Sequence, residues 1–289
     1  MNLGVVTDVD WTMCTYDNSV SLGFLADRLS RHFWMLNRDH CYTWLMNQLV
    51  VLMGNVHGDE ARQAEERRVH DVFDRCISLG IAGIKPPAAQ WSHVCRAGAF
   101  LEASGYTLTN KIVHELVRVE VEMFTLSARC NGLYPDAAET VRQLREELGA
   151  RVIALTTSDV RIKSDSLLHR PTFDMAHSRT CKFGRLGLQG LYNVIPRADV
   201  IVAELGKSHS STHVEVMSRF ADIPEPRVIV KIGDTHTDME LKFADERIFV
   251  VRQLRADGSF VRPVLATHVV HELAEVVPYL AKLVATQTV

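Results

Sequence analysis

Leu3-Gly4-Val5-Val6-Thr7-Asp8-Val9-Asp10-Trp11-Thr12, close to the amino terminus, decides how the rest of the chain is read. The first five residues form a short apolar run rich in β-branched side chains, the pattern of a strand buried on both faces of a sheet. The run ends on two carboxylates, Asp8 and Asp10. Open α/β sheets bind ligands at the carboxyl ends of their strands, so both acids are delivered to that edge. There one carboxylate can serve as nucleophile or metal ligand, and its neighbour as general acid and base.

Outward from this strand the pattern changes twice. From about Ser19 to Arg129 there are few β-branched runs and many helix formers, with apolar residues at three- and four-residue spacing, as in Leu22, Leu25, Leu29 and Phe33. Gly58-Asp59-Glu60 opens a further helix, Lys85-Pro86-Pro87 breaks the pattern, and Thr109 to Ala128 predicts another helix. After Tyr134-Pro135-Asp136 helix and buried strand alternate. Strands are predicted at Arg151–Thr156 and near Asp199–Ala203, Arg227–Ile232, Arg247–Val251 and Thr267–Val270. Helices are predicted at Ala137–Leu148, His209–Phe220, Asp238–Ala244 and Glu272–Leu283. Such an alternation requires crossover connections, so the fold class is α/β, a Rossmann-like, mostly parallel sheet with helices on both faces. We expect residues 1–17 and 132–289 to form this core and residues 18–131 to form an inserted all-α domain. The glycine-bearing segment Cys181 to Gly190 reads as a hairpin or bulged excursion.

Composition narrows the functional classes. Of 289 residues 47% are hydrophobic and 23% charged, the mix of a globular protein with a sizeable core. Lys and Arg number 32 against 35 Asp and Glu, giving a net charge of -3, so no cationic excess exists to neutralise nucleic acid or an anionic membrane. Cys14, Cys41, Cys76, Cys95, Cys130 and Cys181 include no C-x-x-C pair, and read as reduced, mostly buried residues rather than a disulfide frame or zinc site. No stretch offers the roughly 18 apolar residues of a membrane span, and the chain opens on a strand-like run rather than a secretion signal. We therefore expect a cytoplasmic protein, monomeric or homodimeric, without a nucleic-acid or membrane partner.

Further candidate residues stand at other strand ends. Gly233-Asp234-Thr235-His236-Thr237-Asp238 follows the apolar run Val228-Ile229-Val230-Lys231-Ile232 and adds two carboxylates to the same edge. Four like charges there repel unless a cation sits among them, and hard oxygen ligands suit Mg²⁺. Asp234 and Asp238 can alternatively cap the helix that follows. Thr156 and Thr157 close another strand, where hydroxyls and backbone N–H groups can hold phosphate oxygens or cap a helix. Lys207, in Gly206-Lys207-Ser208, can bring a positive charge to the edge. His32, Phe33, Trp34, Met35, His40, Tyr42 and Trp44 form an aromatic, His-rich stretch whose helical spacing places most of them in the core of the insert.

In this order the motifs resemble those of the haloacid dehalogenase superfamily of phosphohydrolases. Thr7-Asp8-Val9-Asp10-Trp11-Thr12 matches its strand followed by D-x-D-x-T, and Ile153-Ala154-Leu155-Thr156 its strand ending in Thr or Ser. Lys207, with Lys182 in reserve, matches its lysine, and Gly233 to Asp238 its G-D-x-x-x-D. The insert then corresponds to the family's α-helical cap. Family members usually have Gly where Trp11 stands, which implies a differently shaped turn and an indole near the active-site mouth.

The resemblance implies a phosphatase acting on a small phosphorylated metabolite, with Asp8 as nucleophile and Asp10 as acid and base. It further implies Thr156, Thr157 and Lys207 on the phosphate, and Mg²⁺ held by Asp8, Asp234 and the backbone carbonyl of Asp10. Asp238 would orient the metal's waters or Lys207. A phosphomutase of the same superfamily and a catalytically silent binding module are the competing readings.

Overall fold

The computed structural model describes residues 2–15, 18–33, 36–54, 57–81, 91–158, 160, 162–165, 170–225, 227–252 and 258–286. Lys85-Pro86-Pro87, Trp34 and Met35 lie outside them. In chain order, β1 (Asn2–Thr7) is followed by α1 (Asn18–His32), α2 (Arg38–Met53), α3 (Asp59–Ser78), α4 (His93–Ala103) and α5 (Asn110–Cys130). Then come α6 (Ala137–Glu146), β2 (Arg151–Thr157), β3 (Ile162–Asp165), β4 (Arg170–Phe173), α7 (Met175–Leu188), β5 (Val200–Ala203) and α8 (Ser210–Arg219). The chain closes with β6 (Arg227–Gly233), α9 (His236–Met239), β7 (Glu246–Val250), β8 (His268–Val270) and α10 (Val276–Thr286).

Two compact units emerge. The first comprises Met1–Tyr16, Asn131–Thr157 and Leu186–Val289. It holds a six-stranded sheet in the order β5-β2-β1-β6-β7-β8, every pairing parallel. Its order runs outward in opposite directions from β1, which makes β1 the switch point where such sheets bind ligands. Val5 and Val6 are fully buried, as a central strand requires. On one face Val6, Ile153, Leu155 and Ile201 pack with Val216 of α8 and with Phe220 just after it. Within this unit Thr15 and Gly132 are tied together: Thr15 N–H donates to the Gly132 carbonyl at 2.7 Å, and Gly132 N–H to Thr15 Oγ1 at 2.9 Å.

The second unit comprises Asp17–Cys130 and Ser158–Arg185. Its helices carry ordinary stop and start signals. Asn37 caps α2 by accepting from His40 N–H, Ser92 caps α4 by accepting from Cys95 N–H, and Gly54 ends α2 at φ 76, a left-handed turn that glycine takes without a Cβ penalty. Apolar residues such as Leu25, Leu49, Phe73 and Leu116 fill the interior. Residues 158–185, which the sequence division leaves in the core, group with this unit. Their antiparallel pair β3–β4, absent from the sequence reading, sets the Phe173 ring 6.1 Å from that of Phe73 on α3.

Several expectations are corrected. Cys181 to Gly190 is not a hairpin; nearly all of it belongs to α7. The helical period there is carried by Ser178, Lys182 and Arg185, all buried, so an apolar pattern does not display it. The predicted helix Asp238–Ala244 shrinks to α9, a single turn. The described members of the aromatic stretch are not fully buried: His32 and His40 are exposed, and Phe33, Tyr42 and Trp44 half-buried. Cys14, Cys41, Cys76 and Cys95 are buried and all six cysteines are free thiols. Among the described residues no helix is long and apolar enough to cross a membrane.

Candidate active site

The register of the sheet gathers the candidate residues at one edge. Thr7 pairs with Ala154 of β2 on one side and with Ile232 of β6 on the other, so β2 runs three residues and β6 one residue past the end of β1, level with the segment that carries Asp8 and Asp10. Asp8 N–H donates to the Ile232 carbonyl at 2.8 Å, continuing the ladder one residue beyond β1. Asp234 follows β6 directly. Gly233 is required there: a Cβ on it would lie 2.4 Å from Asp238 Cβ, so the close return of Asp238 excludes any side chain. Thr235 and Asp238 form a capping box, with Asp238 Oδ2 accepting from Thr235 N–H at 3.2 Å and from Thr235 Oγ1 at 2.7 Å. Helix capping by Asp238 and a place in the site are therefore the same arrangement.

Asp8, Asp234 and Asp238 are buried, and each offers an oxygen within 4.8 Å of the others. Three buried carboxylates so close form a hard, anionic oxygen set that fits Mg²⁺. Asp10 Oδ2 accepts from Thr156 Oγ1 at 3.4 Å, which ties its side chain to the end of β2 while its charge still acts on Asp8. Thr157 is the half-buried last residue of β2. Lys207 Nζ bridges Asp8 Oδ1 at 2.5 Å and Asp238 Oδ1 at 2.7 Å, with a side chain only 9% exposed. Lys182 lies on α7, in the second unit.

The charges respond as burial and neighbours dictate. Burial, then the nearby Asp238, raises Asp8 above the usual aspartate range, while Lys207 and Lys231 oppose the rise. Burial, Asp8 and Asp238 push Asp234 well up, against a hydrogen bond from Thr12. Asp238 is the exception: burial acts to raise it, but Lys207 and Lys231 outweigh that cost and hold it well below the ordinary range. Lys207 is raised, because its two carboxylates overcome burial. A carboxylate favoured as the ion, two carboxyls that resist ionisation and an ammonium held by two of them are thus buried together at the end of β1.

Three residues of this constellation receive no role of their own in the motif reading. Thr12, fully buried, donates through Oγ1 to Asp234 Oδ1 at 2.7 Å. Arg252, just past β7, donates to the Trp11 and Thr12 carbonyls at 2.8 and 2.9 Å and lies 4.1 Å from the Tyr134 ring centroid. It clamps the loop that carries Trp11, whose φ of 60 is the left-handed conformation expected of glycine rather than tryptophan. Lys231, inside β6, is fully buried with Nζ 3.1 Å from Asp238 Oδ1. Its sequence signal is a lysine in an otherwise apolar strand. Thr12 sits in the motif but its partner is visible only in three dimensions, and nothing in the sequence marks Arg252.

Neither a family model nor a curated protein matches the sequence. Solved structures do match. YfnB of Bacillus subtilis, a HAD-hydrolase with magnesium bound, is 16% identical over 97% of this chain and 98% of that one, with a TM-score of 0.52. A protein of Haemophilus somnus, described as a predicted phosphoglycolate phosphatase, is 11% identical over 96% and 97%, also with a TM-score of 0.52. Shared layout over nearly the full length of each chain at this identity identifies an architecture, and it agrees with a parallel sheet whose central strand ends in Asp8 and Asp10. The chain has the fold of the haloacid dehalogenase hydrolases.

Proposed function

We propose that this chain is a Mg²⁺-dependent phosphatase that hydrolyses a small phosphomonoester metabolite through an aspartyl-phosphate intermediate. The observation that carries the reading is the ammonium of Lys207 held against Asp8 at the end of the switch-point strand, with Asp10, two residues on, hydrogen-bonded to Thr156 of the adjoining strand β2. Asp8 is the nucleophile. Its carboxylate oxygen forms a bond to phosphorus as the bond to the leaving alcohol breaks, and Asp10 delivers the proton that the leaving oxygen needs. Asp10, now a carboxylate, takes a proton from water as that water attacks phosphorus, which releases inorganic phosphate and restores Asp8.

Lys207 and Thr156, with Thr157 at the strand end, supply donors to the phosphoryl oxygens. Asp8, Asp234 and the Asp10 backbone carbonyl would hold Mg²⁺, whose positive charge offsets the repulsion between an anionic phosphate and an anionic nucleophile. Asp238, saturated by Thr235 and its lysines, orients Lys207 rather than the reacting atoms. The magnesium reported with the Bacillus subtilis HAD-hydrolase and the phosphatase description of the Haemophilus somnus protein support this choice.

The test is phosphate release from phosphorylated sugars, sugar acids, nucleotides and amino acids, with and without Mg²⁺. Metal-dependent release that falls to background in Asp8→Asn is expected. Wild-type turnover in that variant would overturn the nucleophile assignment, and no release from the intact protein would overturn the phosphatase.

A further inference from the structure

Lys231 occupies a place where an apolar residue would ordinarily stand. The strand Val228-Ile229-Val230-Lys231-Ile232 is hydrophobic on both sides of it, and Lys231 is fully buried. Placing an ammonium there costs several kcal/mol unless its partners repay it. The partners are few and specific: Nζ donates to the Ile232 carbonyl at 3.0 Å and lies 3.1 Å from Asp238 Oδ1. Oδ1 therefore receives two ammonium groups, Lys231 and Lys207, while Oδ2 is taken by the backbone and hydroxyl of Thr235.

This double pairing bears on Lys207. Its ammonium has three protons, and Asp8 and Asp238 already engage it. A phosphoryl group that draws Lys207 toward itself weakens the Lys207–Asp238 contact. Were Lys207 the sole cation on Asp238, that movement would strand a buried carboxylate and be opposed by it. Lys231 is too deeply buried in β6 to meet a ligand, and it remains on Asp238 whatever Lys207 does.

We propose that Lys231 is a positioning residue: it keeps Asp238 a paired carboxylate so that Lys207 is released to the transferring phosphoryl group. The proposal rests on the phosphatase reading. It makes Asp238 a competitor for Lys207 whose pull Lys231 weakens, and that is what distinguishes it from a lysine that merely completes the strand.

The experiment measures inorganic phosphate binding by calorimetry with Mg²⁺ in excess, for wild type, Lys231→Met, Asp238→Asn and the double variant, alongside KM and kcat. Lys231→Met is expected to weaken phosphate binding by about tenfold or more and to raise KM by a similar factor, with a smaller change in kcat. In the Asp238→Asn background, where the competing charge is gone, the same change is expected to cost no more than about twofold. Equal losses in both backgrounds, or a Lys231→Met protein of lowered thermal midpoint with unchanged phosphate affinity, overturn the proposal. If Lys231→Met alone does not fold, the double variant, which removes both members of the ion pair, carries the test against Asp238→Asn on the same twofold limit. A wild type that neither binds phosphate nor releases it overturns the phosphatase reading and this inference with it, whereas a competent wild type with the outcomes above overturns the inference alone.

Discussion

Thr12→Val isolates one hydroxyl on which a buried charge depends. Thr12 and Asp234 are both fully buried, and Thr12 Oγ1 lies 2.7 Å from Asp234 Oδ1, a distance typical of a hydroxyl donating to a carboxylate. Valine has nearly the same shape but no proton to give. A hydrogen bond to a charged group is worth about 1.5–3 kcal/mol, and water cannot reach Asp234 to replace it. The burden on Asp234 is already large, since burial, Asp8 and Asp238 all disfavour its ionised form. The metal-free Thr12→Val protein is therefore expected to lose about 1.5–3 kcal/mol at alkaline pH, where the carboxyl is forced to ionise. For a unit of this size each kcal/mol moves the midpoint by roughly 2–4 °C, so thermal unfolding followed by circular dichroism in a chelator should fall by about 3–12 °C. Thr12→Ser keeps the donor and gives up one methyl group, at a cost of about 1 kcal/mol. A Val variant within about 1 °C of wild type, or a Ser variant that falls as far as Val, would refute the reasoning.

Trp11 offers a backbone test. At φ 60 a Cβ costs about 1–2 kcal/mol, and glycine gives back roughly 0.5–1 kcal/mol through its greater freedom in the unfolded chain. Trp11→Gly should thus be more stable than Trp11→Ala by roughly 0.5–1 kcal/mol, the reverse of the order in a helix or strand, because both variants lose the same indole; urea unfolding decides it, and alanine equal to or above glycine sinks the idea. The pH dependence of the metal-free protein should be unusual as well. Asp8 and Asp234 are raised above the usual 3.8, so the folded chain holds more protons than the unfolded one and stability falls as pH rises from that value through the raised ones. Asp238 acts oppositely: it is lowered, so its contribution is complete above 3.8 and is lost only as pH drops below it. Thermal midpoints of the metal-free protein should therefore climb between neutral and mildly acid pH, and Mg²⁺ should flatten that slope by holding both carboxylates ionised; parallel profiles with and without Mg²⁺ would contradict this.

What the sequence displays and what it conceals follow one physical rule. Asp8, Asp10, Thr156 and Asp234 are legible because a buried parallel strand is an unmistakable apolar run, and whatever follows it is carried to the ligand-binding edge. Lys207 is legible by order along the chain, but its bridge between Asp8 and Asp238 is a fact of three dimensions. The reading fails where a buried surface is polar. Helix α7 turns Ser178, Lys182 and Arg185 inward, so a search for apolar periodicity finds a hairpin or bulged excursion in place of helix. The aromatic stretch fails in the opposite sense, since helical spacing of large side chains implies a core and His32 and His40 are exposed. Lys231 breaks the pattern most sharply: a lysine inside β6 contradicts the strand's own rule, and local rules are broken where a site requires it. Its ammonium lies 3.1 Å from Asp238 Oδ1, the same oxygen that Lys207 engages. The charge balance of the site is thus set in part by a residue no motif names, and the sign of its existence is that one misplaced lysine in an apolar strand.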